Sequence, residues 1–166
     1  EIDRYVIYNY RDKIWYYGQL SRTVWLDAGI ENYPQAASGG YLYEHEDGFD
    51  DDGSEMTNVF IESSDFDIGE GDSFSFIRRL IPDIKFLDND SGSTVNIVTK
   101  TRNFPGDSLS TSDTSTVTPT TQQAHIRARG RQIALRIASN DGQESNQGVG
   151  WRYGSTRYDV VRDGRR

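Results

Sequence analysis

No stretch of this chain longer than a turn or two repeats its apolar residues every 3.6 positions, whereas period-two alternation recurs from Arg4 to Arg162. Under that pattern a helix has no apolar stripe to bury, while a strand has a face. The alternation therefore restricts the chain to an all-β fold. "RYVIYNY" (Arg4–Tyr10), the turn "RDK" and "IWYYGQL" (Ile14–Leu20) read as a hairpin. "RTVWLD" (Arg22–Asp27) follows, then "YPQAAS" and "YLYEHE" joined at the turn pair Gly39-Gly40. Strands this short, separated by brief turns, make a meander of about one propeller blade and the start of a neighbour. An isolated blade is a poor fold, because blades bury their faces against one another. Residues 1–48 are therefore expected to rest on a partner or on more chain.

"EHEDGFDDDGSE" (Glu44–Glu55) has too few apolar residues for a core and is expected to separate two parts. The expected organisation is a propeller-like, incomplete meander at 1–48, an acidic linker at 49–56 and an antiparallel β-sandwich at 57–166. Within the last part, "TNVFIES", "FDIGEGDSFSFIRRLIPDIKF", "STVNIVTKTR", "GWRYG" and "RYDVVR" supply strands with turn signals between them. The Ser/Thr-rich run Pro105–Thr121 reads as an exposed loop with room for a short strand around Thr114–Thr118. The glycines of "FDIGEGD" read as a hairpin turn, and "NDGQESNQG" as a loop.

Composition narrows the class. Aromatics make up 12% of 166 residues, with ten Tyr and three Trp, which separates the chain from disordered sequences. There is no Cys, hence no disulfide framework and no thiolate chemistry, and cytosolic assembly is favoured. No apolar run is long enough to cross a membrane and no signal peptide is recognisable. Glu1 enters a strand pattern almost at once, so the chain is expected to be a piece of something longer. Charge is uneven: residues 1–76 hold 4 Lys/Arg against 17 Asp/Glu, and residues 77–166 hold 14 against 9. Solvated surface and pairing between halves account for this; so do acidic and basic surfaces that meet across subunits.

The segment "QAHIRARGRQIALRIAS" (Gln122–Ser139) concentrates the positive charge. Ala124, Ile126 and Ala128 alternate with His125, Arg127 and Arg129. Beyond Gly130 the apolar residues change parity to Ile133, Leu135 and Ile137. A glycine bulge accounts for the change and predicts one continuous basic face carrying Arg127, Arg129, Arg131 and Arg136.

Little reactive chemistry is expected. His45 and His125 share no motif, and no nucleophile elbow, phosphate loop or zinc helix occurs. Asp50, Asp52 and Glu55, and separately Asp88 and Asp90, are oxygen ligands of the kind calcium takes, but neither set has the spacing of the helix–loop–helix calcium motif. The expectation is no metal and no cofactor, with Asp50, Asp52, Asp88 and Asp90 the calcium candidates if one binds. Glu44 and Glu46, two apart on a strand, do not face each other across a substrate as glycosidase carboxylates do.

Taken in order, "DRYVIYNYRDKIWYYGQLSRTVWLD", "YPQAASGGYLYEHEDG", "FDIGEGDSFSFIRRLIPDIKF", "RGRQIALRI", "GWRYG" and "RYDVVRDGRR" resemble the C-terminal part of the tail-hub or nozzle proteins of short-tailed bacteriophages, including the packaged-DNA stabilisation type. The resemblance covers nearly the whole chain. It implies a β-propeller carrying a β-sandwich, set in a ring around the DNA exit channel, and it implies no enzyme. Implied partners are further copies of the chain, other tail proteins, and DNA that passes without sequence-specific binding. The implied location is the virion tail, assembled in the host cytoplasm. In a ring each subunit meets the next through unlike surfaces. The expected contact sets Arg127, Arg129, Arg131 and Arg136, with Arg152 and Arg157, against Glu44, Glu46, Asp50, Asp51 and Asp52 of a neighbour. Rival roles for the arginines are pairing inside the sandwich and lining a DNA channel. The alternative function is a receptor- or glycan-binding module at the tail tip; exposed aromatics favour it, and burial of Trp15, Trp25 and Trp151 counts against it.

Overall fold

A computed structural model describes residues 3–68, 72–87, 93–140 and 150–164. The fold is all-β, with strands joined by turns and no helix among the described residues, hence none long and apolar enough to cross a membrane. The chain divides into two compact units, Glu1–Gly48 and Phe49–Arg166.

The first unit opens with the hairpin β1 (Arg4–Asn9) and β2 (Ile14–Gln19), paired antiparallel from Arg4↔Gln19 to Asn9↔Ile14. The Asn9 side chain closes its loop by accepting the Arg11 and Asp12 amides, and Lys13 takes a left-handed φ of 57°. A three-stranded sheet follows: β3 (Val24–Leu26), β4 (Gln35–Ser38) and β5 (Tyr41–Glu44). Gly39 and Gly40, with φ of 60° and 87°, form the two-residue turn between the last two, where both central residues need positive φ. Ala36 in β4, the unit's one buried hydrophobic side chain among the described residues, lies between Trp25 and Tyr43 in the register.

The second unit starts at the acidic stretch. Residues 49–56, read as a linker, hold a small hairpin of β6 (Asp50–Asp51) and β7 (Ser54–Glu55). Asp52 and Gly53 both have positive φ, 54° and 76°, and the Asp50 carboxylate accepts the Gly53 amide. Then come β8 (Phe60–Glu62), β9 (Phe66–Asp67), β10 (Ser75–Ile81), β11 (Ile84–Phe86), β12 (Val95–Arg102), β13 (Ser110–Val117), β14 (Ala124–Gly130), β15 (Gln132–Ser139), β16 (Trp151–Tyr153) and β17 (Arg157–Arg162).

These strands form two facing sheets. One has the order β14-β10-β17; the other runs β13-β12-β15-β8, with β9 also on β15. Between them lie Ile77, Leu80, Ala124, Ile126 and Ala128 from the first sheet, and Val95, Ile97, Val117, Ile133, Leu135 and Ile137 from the second. That is a sandwich core, filled by alternate residues of each strand. A bulge at Arg78 lets both Ile77 and Leu80 point inward although they are three apart. β11 and β16 extend the β10–β17 pair past a bend at Asp83, whose carboxylate accepts the Ser155 amide.

Two expectations are corrected here. The Ser/Thr-rich run is a full strand, β13, across Ser110–Val117, because its inward positions pair with the buried residues of β12. Gly130 is no bulge within one sheet. It ends β14, in the first sheet, and β15 begins two residues later in the second. A Cβ on Gly130 would stand 2.8 Å from that of Thr101, so glycine alone lets the chain pass this point closely. The parity change of the apolar residues records a crossing between sheets. The turn expected at Gly69–Gly71, the loop at 141–148, and Asp88 and Asp90 lie outside the described residues.

Candidate functional site

The crossing at Gly130 disperses the arginines expected to share one face. His125, Arg127 and Arg129 alternate with the buried residues of β14 and stand on the outer surface of the first sheet. Arg136 stands on the outer surface of the second, opposite Val98 and Glu62 in the register. Arg131 sits at the crossing itself, its guanidinium 4.9 Å from the Phe74 ring and 5.1 Å from that of Phe104.

Most of these cations meet partners within the sandwich. Arg129 pairs with Asp163 and stacks at 4.2 Å over Phe74. The Arg136 guanidinium carbon sits 3.6 Å from the centre of the Phe60 ring, and Arg136 donates to Glu62 at 3.2 Å and to the Asn58 side-chain oxygen at 3.2 Å. Lys100 donates to the other Glu62 oxygen at 2.5 Å. Hydrogen bonding by Lys100, aided by Arg136, holds the Glu62 carboxyl below the usual carboxylate range despite burial, which acts the other way. Arg102 bridges Asp65 and Gln132, and Gln132 in turn donates to Asp67. Charge on this outer surface therefore ties the short edge strands β8 and β9 to the sheet. Lys100, Glu62 and Arg136, each about a quarter exposed, share one carboxylate, and such a joined set holds geometry better than an isolated surface pair.

The Arg127 amide, at the edge of β14, donates to the Asp113 carboxylate of β13 at 2.7 Å. This side-chain link joins the two sheets along that edge. Arg152 pairs through its backbone with Lys85, and Arg157 with Ile81.

The acidic candidates are dispersed too. Glu44 ends β5 opposite Gln35, and Glu46 follows it with a φ of 65°. Asp50, Asp51 and Asp52 belong to the β6–β7 hairpin of the second unit. Among the described residues no three His, Asp or Glu side chains converge as metal ligands would. His45 belongs to the first unit: its Nε2 accepts from Arg22 at 3.0 Å and its ring lies 4.5 Å from Trp25. His125 is on the second unit.

Two features were not anticipated. The first is an apolar groove of about 260 Å³ between the sheets, lined by Ile61, Ser63, Phe66, Leu135, Ile137, Tyr153 and Tyr158. Burial there, reinforced by Tyr153, pushes the Tyr158 phenol up to about 12. The second is the exposure of the β1–β2 hairpin on both of its faces. Val6, Tyr8, Trp15 and Tyr17 share one face, with Trp15 67% and Tyr17 87% exposed. Ile7, Ile14 and Tyr16 share the other, with Ile7 53% and Tyr16 50% exposed. The alternation of two apolar parities in "RYVIYNY" carried that signal. Trp25 is half exposed as well, whereas the Trp151 indole is part-buried and donates to Ser139 at 2.9 Å. No protein-family model and no curated protein matches the chain.

Proposed function

We propose that this chain is a structural subunit of a bacteriophage tail, within the nozzle or hub ring that closes and conducts the DNA exit channel. The observation that carries the reading is the contrast between the two units. The second buries a continuous core of its own, while the first leaves nearly all of its large apolar side chains in solvent. A two-stranded ribbon and a small sheet so exposed are marginal alone and are completed by neighbours. That is the state of a blade-like element in a larger ring, and it agrees with the order of strand phrases that resembles the tail-hub family. Arg129 and Arg136, two of the arginines expected at a subunit contact, each also pair with a carboxylate of their own unit. Electron microscopy of the purified chain, with light scattering at low and high salt, tests the reading. Closed rings with a central channel support it; particles of any other form overturn it.

A second reading rests on the exposed Trp15 and Trp25, which offer flat rings to sugars. In that reading the chain binds a receptor glycan at the tail tip. Quenching or a blue shift of tryptophan emission on addition of host surface polysaccharide supports it; unchanged emission at saturating polysaccharide removes it.

A further inference from the structure

We infer that the Asp47–Gly48 link, which ends the first unit, is the site among the described residues where the chain spontaneously forms isoaspartate. The inference stands apart from the ring reading, and neither depends on the other. Asp-Gly pairs occur at Asp47, Asp52, Asp141 and Asp163, of which Asp141 lies outside the described residues. Such a pair is open to this reaction because glycine has no Cβ to shield its amide nitrogen. By sequence the three described pairs are alike. Their hydrogen bonds separate them.

The reaction closes a succinimide ring. The Gly48 amide nitrogen attacks Cγ of the protonated Asp47 carboxyl. An N–C bond forms, a C–O bond breaks, and the hydroxyl departs as water with the amide proton. Water then adds at either imide carbonyl. Attack at the side-chain carbonyl restores aspartate; attack at the main-chain carbonyl leaves isoaspartate, with the chain routed through Cβ and Cγ. Water is the only co-reactant, nothing is oxidised or reduced, and the mass is unchanged.

Ring closure needs a carboxyl that is not held, an amide that is not donating and a peptide group able to turn. At Asp52 the Gly53 amide donates to the Asp50 carboxylate at 3.0 Å, inside the turn between β6 and β7. That bond engages the proton the nitrogen must lose and sets negative charge beside it, which opposes the loss. At Asp163 the carboxylate is held by Arg129. The Asp163 amide also donates to the Phe74 carbonyl at 2.9 Å, and the Phe74 amide donates to the Gly164 carbonyl at 2.8 Å, so the peptide between them is fastened on both sides. Asp47 has none of these restraints. Neither its carboxylate nor the Gly48 amide makes a hydrogen bond or ion pair among the described residues, and both residues are exposed. Glu46 and Gly48 flank it with left-handed φ of 65° and 78°, a conformation uncommon for a residue such as Glu46 that carries a Cβ. Space does not distinguish the pairs, since a Cβ on Gly48, Gly53 or Gly164 would meet nothing within 4 Å. Isoaspartate at Asp47 adds a methylene to the main chain at the end of the first unit and leaves the sandwich untouched.

The test incubates the whole chain at neutral pH and body temperature, folded and in enough urea to unfold it. Peptide mapping by fragmentation mass spectrometry locates isoaspartate, and methyl transfer from S-adenosylmethionine by an isoaspartate-specific methyltransferase counts it. In the folded chain Asp47 is expected to react at least about tenfold faster than Asp52 and Asp163, the factor that one or two net hydrogen bonds set on local opening. In urea the three rates should converge to within about threefold, because the restraints belong to the fold. Asp47→Glu should remove the signal at its position, since closure then needs a larger and slower ring. Asp50→Ala releases the Gly53 amide and should speed Asp52 about tenfold while leaving Asp47 unchanged. Equal rates at the three sites in the folded chain, a faster rate at Asp52 or Asp163, or no isoaspartate at Asp47 overturns the inference. An Asp52 rate indifferent to Asp50→Ala overturns the account of its protection.

Discussion

Single side chains set the pH limits and the slack of the sandwich. Thr99 is fully buried, between Leu135 and Asp113 in the register, and its hydroxyl finds no partner among the described residues. A buried polar group left unpaired costs about 1–3 kcal/mol, so Thr99→Val is expected to raise the urea midpoint by an equivalent of about 1 kcal/mol without changing its slope. Glu62 works in the opposite sense. Its folded carboxyl is held low by Lys100 and Arg136, so its contribution is complete above the ordinary carboxylate range and fades as pH falls through the lowered one. Glu62→Gln should flatten that part of the acid limb, as measured by thermal melts across the acid range. At the alkaline end, Tyr158 is raised from 10.0 to about 12. The folded state then keeps a proton that the unfolded state has lost, so stability falls as pH rises from about 10 to about 12. Tyr158→Phe should remove that fall, and a native-like alkaline limb in the variant would refute the assignment.

At the scale of strands and turns, some elements were legible and others were not, for identifiable reasons. The Gly39-Gly40 turn was readable because two adjacent residues with positive φ have almost no other use between strands. The Asp52-Gly53 turn carries the same type of signal, but the acidic residues around it read as a solvated connector and masked it. β13 was underestimated because Ser and Thr suit both loops and strands; its inward residues include Asp113 and Ser115, which no apolar period could mark. The alternation in β14 was read correctly. The fate of Gly130 was not, since a bulge and a crossing between sheets shift apolar parity alike, and only pairing with β10 or β12 distinguishes them. Gly130→Ala should therefore cost roughly 1–3 kcal/mol, because its Cβ would collide with Thr101 on the neighbouring sheet. A glycine in a simple bulge exposed to solvent would lose much less, and the unfolding midpoint of the variant separates the two.

For the whole molecule, unequal burial predicts unequal stability. The unit Phe49–Arg166 holds the continuous core, and Glu1–Gly48 buries little. Shortening the chain to residues 49–166 should leave one cooperative calorimetric transition close to that of the full chain. Loss of that transition would mean that the sandwich depends on the meander. The exposed hairpin was present in the sequence as two apolar parities on one strand, which only a strand covered from both sides can use. What covers it was not written there, because exposure is a property of the folded surface.

The crossing at Gly130 also governs the field the molecule presents to its surroundings. Facing sheets stand about 10 Å apart, and outward side chains lie farther apart still. The screening length at physiological salt is about 8 Å. Arg127 and Arg129 on one outer surface, and Arg136 on the other, are therefore electrostatically deaf to each other in solution. An anion approaching from either side meets a local balance of charge already tempered by Asp163 or Glu62, never the summed cluster that the linear sequence displays.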